Sequence, residues 1–369
     1  MMPTVLIGTR KGLFSLDDLW GPPKIVEQWF AGVPVPAVMR DPRDGAYYAA
    51  VDHGHFDGKL HRSTNRGKTW EEITAPAYPP KPDGVEDVCP MRRTPRPWST
   101  RLMWSLEPAH GDDPGALWCG TIPGGLFRST DRGQSWALNR PLWDDPARAE
   151  SFGGGYDEPG IHSISIDPRG GGGMTVGISC GGAWHTADNG ESWELSTGMV
   201  ADFMPPGRID DPRIQDPHRI VRCPGAPDVL WTQHHNGIFR SVDNGRTWGR
   251  ITGVQPSEFG FAVAVHPTDP DTAWFVPMIS DEVRIPVGGK LVVTRTTDGG
   301  QTFEQLTAGL PQVHAYHLVY RHCLDVSFDG QRLVMGSTTG SIWVSHNGGT
   351  TWRLATADLP PVLSVRFIA

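Results

Sequence analysis

Long apolar runs are missing from this 369-residue chain, and no stretch approaches the roughly 18 to 20 residues that a membrane-spanning helix requires. The amino terminus, Met1-Met2-Pro3-Thr4-Val5, has no basic segment followed by an apolar one, so no secretory leader is read there. Cysteine is scarce. Five residues (Cys89, Cys119, Cys180, Cys223, Cys323), odd in number and without a CxxC pair, suggest neither a disulfide framework nor a cysteine zinc site. No run of five basic residues occurs, and the formal charge of −8 supplies no footprint for a polyanion. Helical periodicity is equally lacking, and no glycine-rich loop joins a strand to a helix, which argues against a nucleotide cofactor. The expectation from these absences is a cytoplasmic protein that engages neither nucleic acid nor membrane.

What the chain has in abundance is turn formers and tryptophan. Its 45 glycines and 34 prolines accompany 38% apolar residues and 15 tryptophans, a combination that suits a turn-rich but well-buried protein rather than a disordered one. An eight-residue pattern recurs six times: Ser63-Thr-Asn-Arg-Gly-Lys-Thr-Trp70, Ser129-Thr-Asp-Arg-Gly-Gln-Ser-Trp136, Thr186-Ala-Asp-Asn-Gly-Glu-Ser-Trp193, Ser241-Val-Asp-Asn-Gly-Arg-Thr-Trp248, Thr296-Thr-Asp-Gly-Gly-Gln-Thr-Phe303 and Ser345-His-Asn-Gly-Gly-Thr-Thr-Trp352. Successive terminal aromatics are 66, 57, 55, 55 and 49 residues apart, room for four strands and their loops. In each copy Asp or Asn can accept hydrogen bonds from a tight hairpin, glycine can take a positive φ, and the aromatic is expected to bury its ring under the turn.

The pattern resembles the Asp-box, or BNR repeat, of sialidases, Vps10-type receptors, xyloglucanases and photosystem-assembly propellers. That resemblance implies a β-propeller and leaves the chemistry open, because the family shares its blade and not its reaction. An all-β, seven-bladed propeller of four-stranded antiparallel blades is expected. It forms one domain over 1–369 with blades at about 34–77, 99–143, 160–204, 214–255, 258–311 and 315–360. The seventh combines about 4–33 with 362–368, so that the carboxy-terminal strand joins the amino-terminal strands and closes the ring. Sialidases have six blades and depend on three arginines with a Tyr/Glu pair. No such set is assignable here, and Arg284-Ile285-Pro286, which resembles their Arg-Ile-Pro element, falls in a late blade.

Propeller ligands usually sit on the face opposite the Asp-box turns. Aligned on the repeat, His53 and His234 share one blade position, with Arg10 at the equivalent place in the closing blade. His162 and His218 share another, each six residues before a proline. Imidazoles gathered from rigid strands suit a divalent transition metal, zinc above all, so His53, His162, His218 and His234 are candidate ligands. Hydrogen bonding to backbone around a watery channel, or metal-free acid–base chemistry, are the competing roles. His55, His235, His317, His322, Arg284 and Tyr156 are candidate substrate contacts. Glu158, Asp211 and Arg10 are candidate catalytic groups, Glu158 with Asp211 being the carboxylate pair that glycoside hydrolysis would require.

Three functions follow from these residues. The first is a metal-dependent hydrolase or lyase acting on a small or medium organic substrate. The second is a non-catalytic scaffold with a protein partner, and the third is a glycosidase acting on an oligosaccharide. The sequence leaves open whether the chain is an enzyme.

Overall fold

The computed structural model describes residues 5–17, 24–54, 57–154 and 156–368. Short strands separated by Gly- and Pro-rich turns account for nearly all regular structure, and the single α-helix among the described residues is one turn, Arg140–Trp143. No described helix is long and apolar enough to cross a membrane.

The first strands are β1 (Val5–Thr9), β2 (Gly12–Asp17) and β3 (Lys24–Trp29), followed by β4 (Ala37–Arg40), β5 (Tyr47–Asp52), β6 (Gly58–Ser63) and β7 (Glu71–Ile73). The next two sets are β8 (Leu102–Pro108), β9 (Leu117–Ile122), β10 (Leu126–Ser129) and β11 (Ala137–Leu138), then β12 (Ile161–Ile166), β13 (Met174–Ile178), β14 (Gly182–Thr186) and β15 (Glu194–Leu195). There follow β16 (Pro217–Arg222), β17 (Leu230–His234), β18 (Gly237–Ser241) and β19 (Gly249–Ile251), and β20 (Gly260–Val265), β21 (Ala273–Pro277), β22 (Val293–Thr296) and β23 (Glu304–Leu306). The last are β24 (Leu324–Val326), β25 (Leu333–Gly336), β26 (Ile342–Ser345), β27 (Arg353–Thr356) and β28 (Val362–Phe367).

These form seven four-stranded antiparallel sheets, the blades of a seven-bladed β-propeller. Six are built from consecutive strands, and the seventh has the order β28-β1-β2-β3, so the carboxy-terminal strand does complete the amino-terminal sheet. Its pairing runs from Val5 opposite Phe367 to Thr9 opposite Val362.

Contacts divide the chain into two compact units: unit 1 comprises 1–38, 221–240 and 250–369, and unit 2 comprises 39–220 and 241–249. In unit 1 one core cluster includes Val5, Ile7, Phe261, Trp274, Trp343, Val362 and Phe367, and another includes Trp231, Ile238, Val263 and Phe275. In unit 2 one cluster centres on Trp118, Ile164, Val176 and Trp184, and a smaller one gathers loop residues Cys89, Phe152, Cys180, Met204 and Ile214.

The repeated motif forms the hairpin between the third and fourth strands of a blade. In the copy at 129–136, Ser129 Oγ accepts from Gly133 N at 2.8 Å and donates to Asp131 Oδ1 at 2.8 Å, and Asp131 accepts from Ser135 N at 2.9 Å and Ser135 Oγ at 2.6 Å. Those bonds hold the Asp131 carboxyl down at about 2, the Ser135 hydroxyl being the largest contributor. In all six copies the residue before the conserved-position glycine shares its positive φ, as with Arg132 at 61° and Gly133 at 86°, which is the two-residue left-handed turn that matches strand twist. The aromatics depart from the expected burial. Trp248 and Trp352 are buried, but Trp136 and Trp193 are only half-buried and spend their indole N–H groups on Thr74 O and Asn139 Oδ1, both at 2.9 Å. A tryptophan whose nitrogen must be satisfied stays near polar surface.

The Asp-Pro-Arg turn after a first strand has its own logic. Asp41 caps the turn and receives Arg43 through Nε at 2.8 Å and Nη2 at 2.7 Å, while the same guanidinium reaches the carbonyls of Asp113 at 2.8 Å and Ala116 at 2.7 Å. One planar fork thereby joins two neighbouring sheets of unit 2.

Candidate functional site

Three segments of unit 2 converge at the residues with the most chemical potential: the loop 151–160 before β12, the turn Ser179–Gly181 between β13 and β14, and the approach to β16. Ser179 holds them together. Its backbone N–H donates to Gly160 O at 2.9 Å, and its hydroxyl donates to Asp216 Oδ1 at 3.1 Å. Phe152 N donates to Cys180 O at 3.1 Å and Gly182 N to Gln215 O at 2.9 Å, so the loop and the approach to β16 are both stitched to this turn.

Asp216 and His218 are the buried ionisable pair. Asp216 is 5% exposed and His218 2%. Separated by two residues on an extended segment, they fall on the same face, and His218 Nε2 lies 3.4 Å from Asp216 Oδ2. The other oxygen, Oδ1, accepts both Ser179 Oγ and the Cys180 backbone N–H, the latter at 3.0 Å. The carboxylate is thus oriented by two donors on one side and faces an imidazole on the other.

His162 occupies the corresponding second position of β12 and is fully buried. Its Nδ1 is 2.8 Å from Ser163 Oγ, which also accepts Ile220 N at 3.0 Å, so the start of β12 is tied to β16. Trp104 lies edge-on to His162 with centroids 5.4 Å apart, and Tyr156 lies edge-on to Trp104 at 5.2 Å. Trp104 is buried while Tyr156 is half exposed, so a run of edge-to-face rings leads from the core to the surface. Gly160 makes it possible: a Cβ there would stand 2.6 Å from the Trp104 ring.

Beside the stack, the buried Glu158 carboxylate pairs with Arg101 at 3.1 Å, and exposed Asp157 pairs with Arg92. Gly154 lets the loop backbone pack closely on the turn. A Cβ there would lie 2.8 Å from Cys180 Sγ, 3.2 Å from Ser179 Oγ and 3.9 Å from Asp216 Oδ2.

Asp211 has a different environment from the one a catalytic pair asks for. It caps the helical turn Pro212–Ile214 through Arg213 N at 3.1 Å and is gripped by Arg213 at 2.8 Å and Arg208 at 2.9 Å. These bonds, the Arg213 side chain first, hold its carboxyl far below the usual carboxylate range. Both oxygens serve the loop, and Gln215 completes it by donating to the carbonyls of Ile209 and Asp211.

Of the other sequence candidates, His53 lies in unit 2, partly exposed after β5, and His55 lies outside the described residues. The rest belong to unit 1. Arg10 is exposed at the tip of the β1–β2 hairpin. His234 is buried in β17, with Nδ1 accepting Asn236 N at 3.0 Å, and His235 stands edge-on to Phe259 at 5.6 Å. His317 Nδ1 lies 2.7 Å from Thr339 Oγ1 and its ring is edge-on to Trp343; burial pushes its pKa down. His322 contributes its carbonyl to Val365 N, and both His317 and His322 precede β24 in irregular chain. Arg284 is occupied by Asp281 and lies over the Phe261 ring. Sequence reasoning passed over Arg101, Ser179 and Cys180. The Asp216-Pro217-His218 spacing was the available signal for the dyad, since alternate residues of a strand share a face.

Comparison with known proteins agrees with the fold. Residues 60–73 match the BNR-Asp box repeat family. A probable oligoxyloglucan-reducing end-specific xyloglucanase of Neosartorya fischeri is 32% identical over 129 residues, which is 34% of this chain and 14% of that one. This chain therefore spans about one-seventh of the relative's length. Among solved structures, an ancestral GH74 enzyme superposes with a TM-score of 0.60 at 15% identity, covering 87% of this chain and 38% of that one. YCF48 bound to D1 peptide gives 0.54 at 15% identity, covering 94% and 90%. The chain is an Asp-box propeller by fold.

Proposed function

We propose that this propeller is a glycan-directed hydrolase whose substrate docks on the loop 151–160 of unit 2. The observation that carries this reading is half-exposed Tyr156 set edge-on against buried Trp104, flanked by the Glu158–Arg101 and Asp157–Arg92 ion pairs. A sugar ring offers an apolar C–H face and a rim of hydroxyls, so it is recognised by an aromatic platform bordered by charged hydrogen-bonding groups. The partial similarity to a xyloglucanase supports the same substrate class.

Hydrolysis of a glycosidic bond needs a group to take the proton of water and another to take the leaving oxygen. Glu158, paired with Arg101, is the base. The Asp216–His218 pair stands on the electrophilic side, the imidazole giving a proton to the leaving oxygen while Asp216 stabilises the imidazolium. Both sets hang from Ser179, Asp216 directly and Glu158 through Gly160, so the supporting framework is rigid. Asp211, the partner first expected for Glu158, is reassigned to holding the loop.

The test is cleavage of xyloglucan oligosaccharides and aryl glycosides, followed by product analysis. Glu158→Gln is expected to lower kcat about 100-fold or more with little change in KM, and Tyr156→Ala to raise KM about 10-fold. Absence of both binding and cleavage across a panel of neutral and acidic glycans overturns the proposal. A second reading, peptide docking, draws on the near full-length likeness to the peptide-bound YCF48. It predicts peptide binding that Tyr156→Ala leaves intact.

A further inference from the structure

We infer that Asp216 and His218 form the core of a divalent transition-metal site, with zinc the best-suited ion. The inference rests on the reading above in placing this pair on the electrophilic side of the site, and it names what the pair holds there.

Distance is the first argument. At 3.4 Å, Asp216 Oδ2 and His218 Nε2 are farther apart than the 2.7 to 3.2 Å of an ordinary N–H···O bond. In a tetrahedral zinc site with metal–ligand lengths of about 2.0 to 2.2 Å, two ligands stand roughly 3.3 to 3.6 Å apart, the edge of the tetrahedron. The pair is already at that spacing.

Support of the carboxylate is the second. A ligating carboxylate is normally hydrogen-bonded through its other oxygen, which fixes its direction. Asp216 Oδ1 accepts Ser179 Oγ and the Cys180 N–H, and Oδ2 is the oxygen that lies 3.4 Å from His218 Nε2. The donors come from the turn between β13 and β14, and the pair from the start of β16 and the residue before it.

The chemistry of the donor set is the third. Soft and borderline metals favour the imidazole of such a mixed N/O set over calcium or magnesium, which prefer oxygen alone. Bound there, the metal would polarise the leaving oxygen as a Lewis acid in place of the proton.

The experiment is metal uptake by the whole chain, stripped with chelator and titrated with zinc, and with cobalt(II) for its visible absorption. One equivalent is expected to bind, with cobalt giving the intense bands of a four- or five-coordinate site. Affinity is expected to fall at least 100-fold in His218→Asn and Asp216→Asn, and about 10-fold in the milder Ser179→Ala, each checked for native circular dichroism. Glu158→Gln is expected to bind metal as wild type does. No uptake of either ion, or uptake that His218→Asn and Ser179→Ala leave unchanged, overturns the inference. Because metal content is read without substrate, stoichiometric binding with no glycan cleavage refutes the hydrolase reading alone. Cleavage by demetallated protein at the full rate refutes the metal alone.

Discussion

The backbone N–H of Cys180 donates to Asp216 Oδ1 at 3.0 Å while Cys180 itself is held at a left-handed φ of 46°. A non-glycine residue in that region costs free energy, and the bond to a buried carboxylate offsets part of it. Removing the carboxylate therefore leaves both the amide and the Ser179 hydroxyl short of their buried acceptor. Asp216→Ala is expected to destabilise the fold by about 2–3 kcal/mol, and Asp216→Asn, whose carbonyl still accepts, by about 1 kcal/mol. Urea unfolding of the two variants against wild type measures the difference.

The motif carboxylates predict an acid dependence. Asp131 and Asp188 have pKa values depressed to about 2 by their turn hydrogen bonds, the Ser135 and Ser192 hydroxyls first. A depressed folded-state pKa gives stabilisation that is present above the ordinary carboxylate value near 3.8 and is lost as pH falls through about 2. The motif's contribution to Tm is therefore expected to be constant from pH 7 to about 4 and to be lost between 4 and 2. Two copies of the motif already use Asn65 and Asn347, which accept Thr69 N and Thr351 N at 2.9 Å. Asp188→Asn should accordingly cost under about 1 kcal/mol at neutral pH and reduce the acid slope. Differential scanning calorimetry at stepped pH checks both.

The motif was legible in the sequence because everything it needs lies within eight residues: hydroxyl, acceptor, left-handed turn and aromatic. Closure by β28 was legible because one strand was left over at the carboxy terminus and three at the amino terminus. The site is legible in parts. Residues two apart on extended chain, such as Asp216 just before β16 and His218 within it, announce a shared face. The bond from Ser179 to Asp216 spans 37 residues and the Arg101–Glu158 pair 57, and no local pattern encodes such meetings. The surroundings of Asp211 were hidden for a related reason. An Asp followed by proline reads equally as a loop acid or a helix-turn cap, and only the placement of Arg208 and Arg213 decides between them.

Deleting Val362 onward tests the closing strand. Val362, Val365 and Phe367 are buried in the unit 1 core, and each contributes about 1.5–3 kcal/mol by leaving water. Set against a typical total stability of about 5–15 kcal/mol, their loss together with the five ladder pairs to β1 is expected to unfold the protein. It also bares the edge of β1. Soluble yield and light scattering of the truncated chain read this out, and the expected result is aggregate.

Arg43 illustrates how much one side chain can hold. Its charge partner Asp41 is 1% exposed, and Arg43→Ala strips that buried carboxylate of its guanidinium while freeing the carbonyls of Asp113 and Ala116. Breaking a buried pair from one side costs about 3–5 kcal/mol. Arg43→Lys is expected to recover little of it, because an ammonium on a flexible stem cannot reproduce the planar fork. Chemical denaturation of both variants decides whether the fork or the charge matters.

Gly160 and Tyr156 separate the support of the proposed sugar platform from the platform itself. A methyl group at Gly160 would stand 2.6 Å from both the Trp104 ring and the Ile122 side chain, well inside contact distance, so the loop must move away from the stack. Gly160→Ala is expected to cost about 2–3 kcal/mol by overpacking and to weaken glycan binding as Trp104 and Tyr156 lose their relative placement. Tyr156 is half exposed, so Tyr156→Ala is expected to leave stability within about 1 kcal/mol while still lowering glycan affinity about 10-fold. Tyr156→Phe, which keeps the ring, should retain most of that affinity. If calorimetric titration with oligosaccharide shows Tyr156→Phe as weak as Tyr156→Ala, the hydroxyl rather than the ring face makes the contact, and the stacking argument for this loop fails.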